Sequence, residues 1–393
     1  MTSSNKNAKL NLYFDNAATS WPKPEQVYLS AEKQMRNAVG NPSRSGHTRT
    51  LEADRLIYKT REAVCRLFNI DNPARVVFAL NATDALNIAI KGFLHQGDHV
   101  IHTALDHNSV LRPLGRLRDD GIITKTMVPC SGKGYPDLNF LESAFNQNTR
   151  LLVITHGSNV TGTIVPIEKL ISIAHDRGVP VLVDAAQTAG SQVIDVEAME
   201  IDMLAFTGHK GLLGPTGTGG LYVRDGLDLQ PLREGGTGSQ SESDRHPLNM
   251  PERLEAGTLN STGLAGLLEG INYILQTGVS TIANHERANR TYLYQQLESL
   301  PGITMYGPSA GEECSSIVSM TIENADCGDI GYILESNYGI LCRTGLHCSP
   351  EAHKAIGTFP TGTIRLSPGF FTTKNDIDHL VTALKEIVRL VEV

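Results

Sequence analysis
The chain has 393 residues, 40% hydrophobic and 19% charged, an ordinary globular composition with length enough for two cored domains. A formal net charge of -8 without any basic run argues against nucleic-acid and membrane-surface partners. The N-terminal stretch MTSSNKNAKL lacks the apolar core of a signal peptide, and no apolar run approaches the ~20 residues of a membrane span, so a cytoplasmic protein is expected.

In chain order, RVVFAL (75–80), HVIHTA (99–104), RLLVITHG (150–157), VPVLVDAA (179–186) and DMLAFTG (202–208) read as short buried strands. Helical patterns lie between them. In DALNIAIKGFL, Leu86, Ala89, Ile90 and Phe93 share one face, and IEKLISIAHDRG stops at Gly178. This alternation predicts an α/β fold whose largely parallel sheet is covered on both faces, with ligands gathered at the carboxyl ends of its strands. Beyond about residue 225, the polar, glycine-rich REGGTGSQSESDRHPLNMPERLEAGTLNSTG reads as a long functional loop. LAGLLEGINYIL then leads as a helix into a smaller α+β unit with strands SSIVSMTI, GILCRT and GTIRLS and a final helix DIDHLVTALKEIVRLVE. The expected division is an N-terminal segment (1–30) on the small domain, a large domain (31–265) and a small C-terminal domain (266–393).

Chemistry concentrates at the strand ends. Lys210, in DMLAFTGHKGLLGPTGTGG, leaves a buried strand beside Thr207 and His209 and is either a Schiff-base lysine or a solvated loop residue. Asp184 ends an apolar run, where a carboxylate needs a cationic partner such as a protonated pyridine or else serves as a helix N-cap. Gln187 follows within reach of a ring hydroxyl. Thr83 opens a helix whose free N–H groups suit a phosphate, His107 can stack on an aromatic ring or relay a proton, and Asn159 can donate to a ligand oxygen. The ordinary alternatives are a Thr N-cap, a satisfied His and a turn-forming Asn. Together the five strand ends suit one cofactor, pyridoxal 5'-phosphate.

Six cysteines show no CxxC pair, which excludes the usual zinc spacing and any disulfide framework; no metal site is expected. Five read as buried thiols. The sixth, Cys348 in RTGLHCSP, stands near Arg343 and His347, and basic surroundings favour the nucleophilic thiolate form.

The ordered segments YFDNAAT, NATDA, DHNSV, SNVTGT, VDAAQ, FTGHKGLLGP, EAGTLN, RTGLHC and GTIRLS resemble the cysteine desulfurases of the class V aminotransferase family. The likeness runs from about Tyr13 to the C-terminal helix and is nearest the Arg-x-Gly-x-His-Cys group, which includes selenocysteine lyases. It implies a fold-type I homodimer that binds pyridoxal phosphate. Lys210 would carry the cofactor and act as the Cα base, Asp184 would hold the pyridinium proton, Gln187 the ring hydroxyl, and His107 would stack on the ring. Thr83, Asp84, Thr207 and His209 would line the phosphate end, with Thr258 supplied by the partner subunit. Arg365, helped by Asn159 and Asn16, would grip the substrate carboxylate, and Cys348 would accept sulfur from L-cysteine and pass it to a protein or small thiol. Arg343, counted with the substrate-binding residues, would give structural or electrostatic support to the Cys348 loop. L-selenocysteine is the alternative substrate. Another class V reaction and a non-catalytic sulfur-assembly scaffold are the rival readings, the latter disfavoured by the Lys210, Asp184 and Arg365 set. Two residues depart from the family's pattern: Leu346, where many relatives carry a second histidine, and Ser349, where alanine is frequent.

Overall fold
A computed structural model of the chain describes residues 12–37, 40 and 47–391; MTSSNKNAKL and parts of the three expected domain ranges lie outside them. In chain order the strands are β1 (Leu12–Tyr13), β2 (Val76–Ala79), β3 (His99–Thr103), β4 (Thr124–Val128), β5 (Thr149–Thr155), β6 (Val181–Asp184) and β7 (Met203–Thr207). They continue with β8 (Gly219–Val223), β9 (Ile303–Tyr306), β10 (Val318–Ile322), β11 (Ile340–Leu341), β12 (Arg343–Gly345) and β13 (Thr363–Leu366). The helices are α1 (Glu25–Arg36), α2 (Thr48–Phe68), α3 (Ala82–Phe93), α4 (Asn108–Asp119), α5 (Leu138–Ala144) and α6 (Ile167–His175). After the large sheet come α7 (Ser261–Thr277), α8 (Val279–Glu298), α9 (Cys327–Tyr338), α10 (Pro350–Ala355) and α11 (Lys374–Val391).

A 7-stranded sheet in the order β2-β8-β7-β6-β5-β3-β4 forms the large unit. β8 alone runs against its neighbours, so the sheet is mostly parallel. Its inner strands are buried on both faces, which is why they read as unbroken apolar runs. One core lies between the sheet and α2, α6 and α7, with Phe68, Leu152, Ile154, Phe206 and Leu267 among its members. The other lies under α3 and α4, where Leu86, Ala89, Ile90 and Phe93 sit as their spacing predicts. Two strands left no readable signal. β4 is an edge strand with mostly unburied residues, and β8 opens with two glycines.

The smaller sheet is antiparallel, β12-β13-β10-β9, and packs with α8, α9 and α11 around a third core. The run GILCRT divides here into two strands belonging to different sheets. β11 pairs in parallel with β1, while β12 joins β13. The β1 pairing and a bridge from Asp15 to Ser367 carry the N-terminal segment along the small sheet to the mouth of the site. The expected 265/266 boundary falls inside α7, whose Leu264, Leu267, Ile271 and Ile274 are all buried in the core of the large sheet. Among the described residues, no helix is long and apolar enough to cross a membrane.

Candidate active site
The carboxyl ends of β2, β3, β5, β6 and β7 open onto one cavity of about 240 Å³, closed on its far side by Arg343 and Arg365 of the small sheet. Parallel strands end on the same edge, so polar residues far apart in sequence converge there. Thr83, His107, Asn159, Asp184, Gln187, Thr207, His209 and Lys210 all line it.

His107 caps α4. Its Nδ1 accepts from the Ser109 N–H at 3.1 Å and lies 2.8 Å from the Ser109 hydroxyl, which in turn is 2.7 Å from the Thr83 hydroxyl. An accepting Nδ1 leaves the proton of the neutral ring on Nε2. Burial, reinforced by Lys210 and nearby arginines, pushes His107 down to about 4, so the ring is neutral at physiological pH. Ser109 therefore links two expected cofactor residues; it sits inside the quoted DHNSV motif, yet only its position in space gives it a role. Beneath it, the buried Asp106 carboxylate accepts from the Thr103 N–H and the Thr155 hydroxyl, fixing the turn after β3.

Asp184 is buried and accepts the Ala186 N–H at 2.9 Å, but no ion pair engages it among the described residues. Burial raises it to about 6, opposed by the Ala186 bond and the Lys210 charge. A cationic partner in the cavity would restore its ionised form. For Lys210, burial and then the Arg365 guanidinium bring the amine down to about 8, which makes it available as a nucleophile or base near neutrality. Two more wall atoms, Thr207 Oγ1 and His209 Nδ1, are buried without a hydrogen-bond partner. Buried polar atoms of this kind call for a ligand or water. A lysine amine, an unpaired carboxylate and orphaned hydrogen-bonding groups make a cavity suited to an anion-bearing cofactor with a cationic ring nitrogen.

Arg365 is 1% exposed and already engaged. It donates to the Asn159 carbonyl at 3.1 Å and to Asp15 Oδ1 at 2.8 Å, leaving its Nε without a partner. The pairing with Asp15 escaped sequence reasoning, although YFDNAAT contains the residue. At the cavity rim, Arg343 Nη2 donates to Cys348 Sγ at 3.6 Å. Of the six cysteines, Cys348 alone is exposed. Burial pushes Cys65 and Cys130 up to about 11 and Cys342 up to about 12, which makes them poor nucleophiles.

The remaining expected residues lie elsewhere. Asp84 is not among the residues that line the cavity; its carboxylate accepts the Leu80 N–H and pairs with Arg233 at 3.0 Å. Asn16 is held by Ser367 and Trp21 at the wall of a smaller neighbouring cavity, which Lys210 and Gln187 also line. Thr258 is exposed on a separate hollow beside the buried Arg61–Glu255 pair, away from its own chain's Lys210 cavity.

This arrangement, a fold with a lysine at the end of one parallel strand and an acid at the end of its neighbour, defines the class. The chain belongs to the Aminotransferase class-V family, whose model matches residues 12–380. Its curated relatives include a probable cysteine desulfurase of Methanothermobacter thermautotrophicus, 35% identical over 383 residues and covering 96% of this chain and 94% of that protein. A cysteine desulfurase of Escherichia coli is 33% identical over 388 residues, covering 96% and 93%. Among solved structures, the apo cysteine desulfurase of Thermococcus onnurineus NA1 superposes with a TM-score of 0.90 at 31% identity, covering 96% of this chain and 94% of that one. An Escherichia coli cysteine desulfurase in an S-sulfonic acid form gives 0.85 at 28%, covering 97% and 95%.

Proposed function
We propose that this chain is a pyridoxal phosphate-dependent cysteine desulfurase, a cytoplasmic homodimer that moves the sulfur of L-cysteine to Cys348 and then to an acceptor thiol. One observation carries the reading. The only exposed thiol of the chain stands beside Arg343 at the rim of a cavity holding a half-buried lysine and an unpaired buried carboxylate. The names of the relatives support the same reaction.

The cavity fits the cofactor in three respects. Asp184 is a buried carboxylate lacking a cation, Thr207 and His209 offer orphaned atoms to a phosphate near Thr83, and Lys210 has the free amine needed to hold an aldehyde. When bound, pyridoxal phosphate supplies an electron sink for charge developing at Cα. Arg365 orients the substrate carboxylate by a forked contact that a lysine cannot make. Lys210 takes the Cα proton. Cys348 attacks the substrate sulfur as its Cβ–S bond breaks, forming an S–S bond. The electron pair of the broken bond stays with carbon, which is protonated and leaves as alanine, so cysteine plus thiol becomes alanine plus persulfide. Thr258 would complete the phosphate site of the partner subunit, consistent with its exposure away from the Lys210 cavity.

Replacing Cys348 with alanine tests the assignment. Cys348→Ala should keep the absorbance of the bound cofactor and lose alanine release from L-cysteine. Full release without Cys348 would remove the thiol from the reaction.

A further inference from the structure
Ser349 is wholly buried and stands at the N-cap of α10, where a serine hydroxyl ordinarily bonds the free N–H groups of the first turn. It makes no such bond here. Pro350 already removes one of those N–H groups, and the hydroxyl turns away to donate to Asn159 Oδ1 at 2.8 Å. The same Asn159 side chain donates from Nδ2 to the His347 carbonyl at 2.6 Å. One buried amide thus grips the chain on both sides of Cys348.

The gripped residues need holding. His347 and Cys348 have φ values of 48° and 62°, a left-handed backbone that is costly for residues with a side chain and persists where the surroundings enforce it. Two more bonds meet the same turn. The Asn108 N–H donates to the Cys348 carbonyl at 2.8 Å, and the buried His347 ring lies 3.2 Å from the Thr363 hydroxyl. Asn159 is itself tied by its carbonyl to Arg365. The turn that presents the thiol is therefore continuous, through one asparagine, with the arginine deepest in the cavity.

We propose that Ser349 is a positioning residue, whose hydroxyl completes an Asn159 clasp that keeps His347 and Cys348 in the left-handed turn and the Cys348 thiol beside Arg343. The consequence for sulfur transfer rests on the desulfurase reading; the clasp itself does not. Without the hydroxyl, Asn159 Oδ1 loses its donor, the turn relaxes towards ordinary backbone angles, and the thiol moves out into solvent.

The test compares parent, Ser349→Ala and Ser349→Thr holoenzymes in two assays. Alkylation of Cys348 by iodoacetamide, followed on its own peptide, should be several-fold faster in S349A, while turnover of L-cysteine falls about tenfold at an unchanged KM, the scale of one buried hydrogen bond. S349T, which keeps the hydroxyl, should stay near the parent in both. Parental cofactor content and Tm in S349A separate positioning from simple loss of structure, which would also speed alkylation but would lower both. S349A at parental values in both assays overturns the proposal, as does an S349T that behaves like S349A. If the parent releases no alanine, the desulfurase reading fails, and the alkylation rates still decide the clasp.

Discussion
Substitution of Asp15 by asparagine isolates the buried cation of the site. Arg365 is 1% exposed and Asp15 22%, and their 2.8 Å contact is the only ion pair the arginine makes among the described residues. Burial disfavours the charge of Arg365, and Asp15 is the first influence opposing it. Removing one partner of a buried pair costs about 3–5 kcal/mol; partial exposure of Asp15 places this case near the lower end, at about 3 kcal/mol. An unfolding entropy of about 2.1 cal/mol/K per residue over 393 residues is about 0.8 kcal/mol/K, so Asp15→Asn should lower Tm by about 4 °C. Scanning calorimetry of parent and variant with matched cofactor content measures this. The same experiment with saturating L-alanine adds a second readout, because a ligand carboxylate at Arg365 should return part of the loss. An unchanged Tm, or a loss that alanine leaves untouched, would refute the reasoning that Arg365 is a buried charge awaiting an anion.

Two further outcomes follow from the same energetics. Burial raises Glu286 on α8, at the wall of the smaller cavity, to about 8, so its contribution to stability is complete below its unfolded value near 4.5 and is lost as pH rises through 8. Glu286→Gln should therefore match the parent near pH 5 and gain about 1–2 °C in Tm by pH 8.5, after discounting for a side chain only partly buried; a difference that does not grow with pH contradicts this. Gly211, next to Lys210, would place a Cβ 2.5 Å from the Ala189 carbonyl oxygen, so Gly211→Ala should shift the lysine's backbone, cost about 1–3 kcal/mol and reduce cofactor retention, measurable by absorbance after gel filtration.

What could be read from the chain, and what could not, divides along a physical line. Asp184, Thr207 and Lys210 were legible because a polar residue closing a continuous apolar run is a local anomaly, and parallel strands deliver such residues to one edge. Helix α3 was legible from its periodicity, and its predicted face is the buried one. The pairs that set the geometry were not. Asp15 and Arg365 are 350 positions apart, Ser349 and Asn159 190, and contact at such separations leaves no periodic trace. Asp84 illustrates the converse. A carboxylate at the first turn of a helix looked like part of the cofactor end, but it spends its charge on Arg233 and the Leu80 N–H instead. The left-handed turn at His347 and Cys348 was likewise not read from the sequence: histidine is one of the types enriched at positive φ, but cysteine is not, and two such residues in succession have no sequence pattern of their own.

The reading of this chain as a sulfurtransferase is tested most directly by the mass of one peptide. Holoenzyme treated with L-cysteine, trapped with an alkylating agent and digested without reductant should yield the Cys348 peptide carrying about 32 Da more than its alkylated parent, one added sulfur atom. Alanine should appear in matching amount during the first turnover. A Cys348 peptide without that sulfur, while alanine accumulates, would place the sulfur acceptor elsewhere and contradict the account.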